Sequence, residues 1–441
     1  MSCINMLDLK GKYTDCKIFA DTVEECVVQQ VYDIINSKAF DGQKVVCMPD
    51  VHCGKSGPCG LVATIGDYVC PDHIGIDIGC SVSMLILDKK LPSDKYAEFE
   101  HRIKKNLPMG KTINEKVTYD EKAFRKYLAS SFARYKQMWS EMLNDLPDVV
   151  TEKWISEQLK RIGMNEAVFY KSIPSVGGGN HFVEYDENED FGAVTVHFGS
   201  RNFGVKVCNY WMNKTKDALS KDEIHDLSNE FKASYGKVID AKKFKKDLTE
   251  YIETKKTNFV LGYLRGDRLK GYMCDMAFAQ AYAAWNHHVA HDVIKGILLK
   301  YGIKVDREIT SVHNYIDLED RCLRKSAIRA HEGEEILIPF NMRDGIAICI
   351  GKGNTEWLNS CSHGSGRLMS RRKAKEVISL DAFTKTMEGI YSTTVNSSTI
   401  DEAPMAYKDT EEIMNLIKDT CEIKTVLKPK INIKAAVAEE E

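Results

Sequence analysis

The spacing of apolar positions changes character several times along the chain. After a strand-like start, Val27, Val31, Ile34 and Ile35 fall on one stripe of residues 23–36, and that period predicts an amphipathic helix. From Lys44 to Lys89 the texture turns β-like. Val45-Val46-Cys47-Met48, Leu61-Val62-Ala63-Thr64-Ile65 and Ser83-Met84-Leu85-Ile86-Leu87 are short apolar runs divided by glycine-rich turns. Residues 92–170 are charged and helical in period, with Trp139, Met142, Leu143 and Trp154 supplying apolar contacts. They predict a helical layer, or an insertion packed on the β region.

The stretch Ser175-Val-Gly-Gly-Gly-Asn-His-Phe-Val-Glu184 sets three glycines before a short alternating run. Bare backbone of this kind suits a phosphate or a tight turn. The alternation predicts a strand with His181 and Val183 on one face and Asn180, Phe182 and Glu184 on the other. Such a strand could offer a metal ligand to one side and polar nucleotide contacts to the other. A glycine-rich hairpin with a surface histidine is the plain alternative. A strand from Ala193 runs into the turn around Gly199, and residues 206–300 read as mainly helical, with a long helix over 273–297. Strands are predicted at 308–315, 336–339 and 346–350, and a basic helix at 368–376. The run Lys242-Lys243-Phe244-Lys245-Lys246 reads as a solvated helix face. Neither an internal repeat nor a Pro/Ser linker divides the chain. The expected fold is therefore α+β, one large mixed domain over residues 1–435 with β-sheets surrounded by helices, and a flexible acidic tail at 436–441.

Composition narrows the function classes. With 441 residues, 43% of them hydrophobic and 28% charged, and a formal net charge of −3, any nucleic-acid site must be a local basic patch. No apolar run approaches the roughly 20 residues that span a bilayer, and the first ten residues lack the pattern of an export signal. The fourteen cysteines show no repeating spacing and no C-x-x-C pair, so they read as reduced thiols of a cytoplasmic protein.

Three groups of residues carry chemistry. Asp77 and Cys80, as D-x-x-C in a glycine-containing turn, can converge on one cation, and a thiolate can bridge two. His181, His197 and His313 each adjoin a strand-like run and could complete an Asp/Cys/His₃ set. Ligand softness favours Zn²⁺, while the carboxylate leaves Mn²⁺ or Fe²⁺ open. Second, His287 and His291 are spaced i, i+4 on the long helix and could share a metal, although no Glu stands in the H-E-x-x-H position. Third, Ser362-His-Gly-Ser-Gly-Arg367 precedes the basic helix. Gly364 and Gly366 there could expose amides to an anion at the helix N-terminus, reinforced by Arg367, Arg371 and Arg372. His363 beside such a seat could be a ligand, an acid/base or a nucleophile.

Taken in order, these strings resemble the RtcB family of RNA ligases. The matching strings are Met48-Pro-Asp-Val-His-x-Gly-Lys, Gly-x-Asp77-Ile-Gly-Cys80, Gly-x-Gly-Asn180-His-Phe-x-Glu184, His197-x-Gly-Ser-Arg, His313-Asn-Tyr, Arg324-Lys, Ser-His363-Gly-x-Gly-Arg-x-Met-Ser-Arg and Glu402-x-Pro-Met-Ala-Tyr407-Lys-Asp. The resemblance covers about residues 20–434. It implies joining of an RNA 3′-phosphate or 2′,3′-cyclic phosphate to a 5′-hydroxyl, with GTP and two Mn²⁺ ions. It further implies that Asp77, Cys80, His181, His197 and His313 hold those ions, with Cys80 bridging, and that His363 takes GMP as a phosphoramidate. Asn180 and Phe182 would lie along the triphosphate, Glu184 against the guanine, and Tyr407 and Lys434 beside the guanosine. Gly364, Gly366, Arg367 and Asn341 would also line the nucleotide. RNA contacts would come from Lys55, Arg201 and Arg367.

Several strings depart from the family pattern. The family's Ile-Pro-Gly-Ser-Met-Gly is here Ile338-Pro-Phe-Asn-Met-Arg-Asp-Gly345, with Asn341 at the serine that faces nucleotide. Cys-Gly is Cys80-Ser81, Lys-Gly-Ala is Lys325-Ser326-Ala327, and the glycine after Arg201 is Asn202. The closing Lys-Gly is Lys434-Ala435. These changes suggest a divergent branch acting in RNA repair or tRNA splicing. A metal-dependent cyclic phosphodiesterase, or an RNA-end-binding protein with a relic site, are the alternatives.

Overall fold

A computed structural model describes residues 6–215, 221–235, 240–257 and 262–436, so the expected tail beyond Ala436 lies outside the described residues. Two large sheets carry the architecture. The first has the order β1 (Leu7–Lys10), β2 (Asp15–Ile18), β3 (Val45–His52), β4 (Cys59–Thr64), β10 (Cys322–Lys325) and β9 (Asn314–Asp317). The second has the order β12 (Glu335–Asn341), β13 (Gly345–Gly351), β15 (Cys421–Ile433), β6 (Phe182–Glu187), β7 (Gly192–Phe198), β5 (Ser81–Leu87) and β8 (Val305–Val312). A short pair, β11 (Ala327–Arg329) with β14 (Ser360–Ser362), sits between them and leads into His363. The fold is a single mixed α+β domain, as the alternating textures of the sequence predict.

The strands β5, β7, β12 and β13 of the second sheet are rich in apolar residues because side chains on both faces are buried there. One face packs Leu85, Val183, Val194, Val196 and Phe198 against Ala290, Ile294 and Leu298 of the long helix Gly266–Leu298. That helix spans about 50 Å. It contains no proline, is rich in alanine and is apolar on most sides, as a helix enclosed by protein must be. Its N-terminal half packs on the helices Glu121–Met138 and Glu152–Arg161 through Phe124, Phe132, Phe278 and Tyr282. The other face of the sheet is lined by Val82, Met84, Ile86, Ala193 and Leu427. The helix Glu25–Ile35 buries the four predicted residues Val27, Val31, Ile34 and Ile35.

Four points correct or complete the sequence reading. The basic helix begins at Arg371, capped by the Ser370 side chain, so Gly364 and Gly366 lie in the preceding turn and not at a helix N-terminus. His287 and His291 are not metal ligands. Serine hydroxyls of Ser81 and Ser83, the Phe198 carbonyl and Glu308 satisfy their ring nitrogens at 2.7–3.0 Å. Cys26 and Cys53 are joined by a disulfide, whereas the eleven other cysteines among the described residues are free thiols. The thirteen-residue strand β15 has no counterpart in the predicted elements, and it is central to the second sheet. Its Pro429 is tolerated because the register shifts between Pro429 and Ile431. Among the described residues no helix is long and apolar enough to cross a membrane.

Arg324 on β10 ties the first sheet to β14, the strand that leads into His363. Its fully buried guanidinium donates to Ser360 Oγ at 2.9 Å and to Asp317 at 2.6 Å, and it also pairs with Asp320. Removing one partner of a buried pair strands the other charge. Arg324→Met is expected to destabilise the chain by about 3–5 kcal/mol. A lowered urea midpoint at unchanged slope would show it.

Candidate active site and metal centre

The ends of four strands meet where the two sheets converge. Asp77 and Cys80 occupy the turn that enters β5, and His181 immediately precedes β6. His197 lies near the end of β7, and His313 sits between β8 and β9. Gly199 is required beside them, because a side chain there would run into the Asp77 carboxylate and the Cys80 backbone. Two groups of three result, and they share one sulfur. Asp77, Cys80 and His181 form one, and Cys80, His197 and His313 the other, with the ligand atoms of each group within 4.8 Å of one another.

Within the first group His181 Nε2 is 2.8 Å from Asp77 Oδ2 and 3.5 Å from Cys80 Sγ. Its Nδ1 meets the Val176 carbonyl at 2.9 Å, which orients the ring with Nε2 toward Asp77 and Cys80. In the second group the Nε2 atoms of His197 and His313 are 3.2 Å apart. Burial, then neighbouring histidines, drive both imidazoles well below their usual range, so both are neutral donors. The His313 Nδ1 is buried without a partner among the described residues. Burial, then Asp77, push the Cys80 thiol well above its ordinary value, so a cation in contact with the sulfur is what would yield a thiolate. Burial would raise Asp77, but His181 outweighs it and holds the carboxyl low. This donor set fits two divalent cations with a shared thiolate.

His363 stands next to this cluster, its ring centroid 4.9 Å from that of His313. Its Nδ1 is 2.6 Å from Oδ2 of the fully buried Asp50 on β3. Asp50 is itself clamped. Lys408 Nζ donates to the carbonyls of Pro49 and Val51 at 3.0 and 2.9 Å, and Gly366, at φ 71°, lies so close that a side chain would strike the Asp50 carbonyl. The motif glycine is thus needed for a close backbone approach.

From His363 a cavity of about 290 Å³ opens, lined among others by Asn180, Phe182, Glu184, Asn341, Gly364, Gly366, Arg367, Tyr407 and Lys434. His197 also borders it, so the cavity and the metal cluster are contiguous. Phe182 and Glu184 share a strand face as predicted, while Asn180 precedes the strand and is exposed. Lys434 Nζ lies 5.5 Å over the Phe182 ring and 3.2 Å from Glu402. Tyr407 donates to Glu402 at 2.8 Å, and Arg367 and Arg371 also pair with it. Against its burial, Lys434, Arg371 and Arg367 hold the Glu402 carboxyl down at about 2. Asn341 Oδ1 accepts from the amides of Arg343 and Asp344 at 3.0 Å, so the longer loop is folded back on itself as a side-chain-capped turn. Ser326 stands where the family pattern has glycine and retains a left-handed φ of 52°.

Sequence reasoning assigned no role to Asp50, Glu402 or Asn432. The first two stand inside the quoted motifs, which was the available signal, whereas Asn432 lies on the unforeseen strand β15. Arg201 is engaged by Ser175 and the Gly110 carbonyl, while Lys55 is exposed. His52 and Cys59 also border the cavity. Burial would raise the Cys59 thiol, but His52 brings it down to about 6.

The shared sulfur gives a stoichiometric signature. Asp77→Ala and His313→Ala are each expected to lower the amount of divalent cation bound, and Cys80→Ala to lower it more than either, as read by elemental analysis after equilibrium dialysis against Mn²⁺.

The model of the family described as tRNA-splicing ligase RtcB matches residues 31–435. The RNA-splicing ligase RtcB of Escherichia coli is 27% identical over 396 residues, covering 85% of this chain and 86% of that protein. The RNA-splicing ligase RtcB homolog 1 of Entamoeba histolytica is 24% identical, covering 84% and 76%. The tRNA-splicing ligase RtcB of Archaeoglobus fulgidus is 23% identical, covering 90% and 88%. With the ordered motifs gathered around one cavity and the family model matching nearly the whole chain, the protein belongs to the RtcB family of RNA-splicing ligases.

Proposed function

We propose that this chain is a cytoplasmic, GTP- and Mn²⁺-dependent ligase that joins RNA 3′-phosphate or 2′,3′-cyclic phosphate ends to 5′-hydroxyl ends, in RNA repair or tRNA splicing. The observation that carries the reading is His363, pinned by Asp50 at the border between the Asp/Cys/His cluster and the cavity. Two Mn²⁺ ions held by Asp77, Cys80, His181, His197 and His313 would supply charge neutralisation at phosphate oxygens.

The protein's own residues account for the remaining chemistry. Asp50 accepts the Nδ1 proton of His363, which leaves the Nε2 lone pair for attack on the α-phosphorus of GTP. Pyrophosphate leaves, and Asp50 stabilises the positive charge that develops on the ring. Ser365 Oγ, buried at the cavity wall without a partner among the described residues, is available to a phosphate oxygen. Lys434 and Arg367 add positive charge there, while Glu184 and Tyr407 face the guanosine. GMP then passes from His363 to the RNA 3′-phosphate, after any cyclic phosphate has been opened. Attack by the RNA 5′-hydroxyl on the activated end releases GMP and forms the phosphodiester.

The closed turn at Asn341 favours a second reading, a cyclic phosphodiesterase that opens ends without sealing them, because Asn341 is occupied within its own loop. Incubation with Mn²⁺ and α-phosphate-labelled GTP separates the two. An acid-labile covalent label is expected, absent in His363→Ala and formed about 10²-fold more slowly in Asp50→Ala. A folded, Mn²⁺-loaded protein that takes no label yet opens cyclic phosphates would be the phosphodiesterase.

A further inference from the structure

Beneath the cavity wall lies a carboxyl that the mechanism does not use. Glu184 and Asp186 project from the same face of β6, two residues apart, and both are buried. Asn432 on β15, paired with Glu184 across the sheet, donates its amide to Glu184 Oε2, and the Lys434 charge lies on the Glu184 side. Asp186 has no such help. Thr195 on β7 donates to its Oδ2 at 2.9 Å, and its Oδ1 is buried with no partner among the described residues. The other side chains on this sheet face include Ala193 and Leu427, which are apolar.

Two carboxylates side by side in such a place cannot both remain charged, and one proton between them resolves the conflict. The arrangement says which oxygen carries it. Glu184 is the better-stabilised anion, and Asp186 Oδ2 already accepts from Thr195, so Oδ1 is the atom that lacks a hydrogen-bonding role. We propose that Asp186 carries the single proton of this pair and donates it to Glu184, keeping Glu184 a two-acceptor carboxylate toward the base and making Asp186 the positioning residue for guanine over adenine. The inference rests on the reading that Glu184 faces the guanine.

The chemistry of the two bases gives the proton its consequence. Guanine offers two adjacent donors, N1–H and the exocyclic amine, and matches a carboxylate with two free lone pairs. Adenine offers an acceptor at N1 beside a donor at N6, and matches a carboxylic acid, which presents one donor and one acceptor. A proton moved from Asp186 to Glu184 would therefore exchange the base that fits. A site built around a buried polar pairing rejects the wrong partner because groups are then left unpaired.

The test is calorimetric titration of the full-length protein with GMP and with AMP, in the wild type and in Asp186→Asn, Asp186→Val and Glu184→Gln, with folding checked by circular dichroism. Asp186→Asn retains a donor and is expected to keep the wild-type GMP-to-AMP preference. Asp186→Val is expected to reduce that preference about tenfold or more, the effect of losing a hydrogen bond to a charged group. Glu184→Gln, which offers one donor and one acceptor, should abolish it. A collapse of the preference in Asp186→Asn would overturn the inference. So would an intact preference in Asp186→Val. Should the valine variant not fold, the asparagine variant alone decides. If Glu184→Gln leaves the preference unchanged, the base is not read at Glu184, and the underlying reading fails instead.

Discussion

The crowding of Asp77, Cys80, His181, His197 and His313 at one point between two sheets is the constraint on which the site depends. Placing a carboxylate, a thiol and three imidazoles together away from water costs free energy unless something repays the lost solvation. Neutral His197 and His313, an Asp77 carboxyl held low and a thiol pushed far up by burial describe a cluster whose balance calls for positive charge. Divalent cations would satisfy that demand, and because the two groups of three share the Cys80 sulfur they need only five residues.

The scaffold serves this cluster by bringing strand ends together. β5 and β7 are neighbours, as are β7 and β6, so Cys80, His197 and His181 approach each other as soon as the sheet is in register. A slip of one residue would turn His197 to the opposite face, and burial of both faces makes such a slip costly. The serine and histidine network of Ser81, Ser83, His287 and His291 fastens the long helix to β5 behind the cluster. Those histidines support the scaffold and leave the chemistry to others.

Around the cavity, polar side chains are held by further polar side chains. Asp50 fixes His363 and is fixed by Lys408 and Gly366. Glu402 gathers Lys434, Tyr407, Arg367 and Arg371 on one carboxylate. Such networks fix rotamers before a ligand arrives, which lowers the entropy lost on binding. The Asn341 loop belongs to the same logic, because its side chain closes a turn that would otherwise have to be ordered by ligand.

Local pattern alone determined the strand runs of residues 45–87, the buried stripe of the helix Glu25–Ile35 and the helical texture of residues 92–170. In each case the period of apolar residues is itself the cause of the element. The ordered motifs made the family and the candidate ligands legible, since those residue types are dictated by chemistry at their own positions. Pairings between distant residues were not legible in this way. Asp50 meets His363 across 313 positions of sequence, and Asn432 meets Glu184 across 248. The strand β15 escaped the pattern because its alternation is interrupted by Pro429, and the sheet accommodates that residue by shifting register. The histidine pair of the long helix had the spacing of a metal site, and only packing against β5 and Glu308 decided otherwise. Sequence specified which side chains were available; tertiary structure decided which of them meet, because contact between distant residues is set by packing and burial rather than by local period.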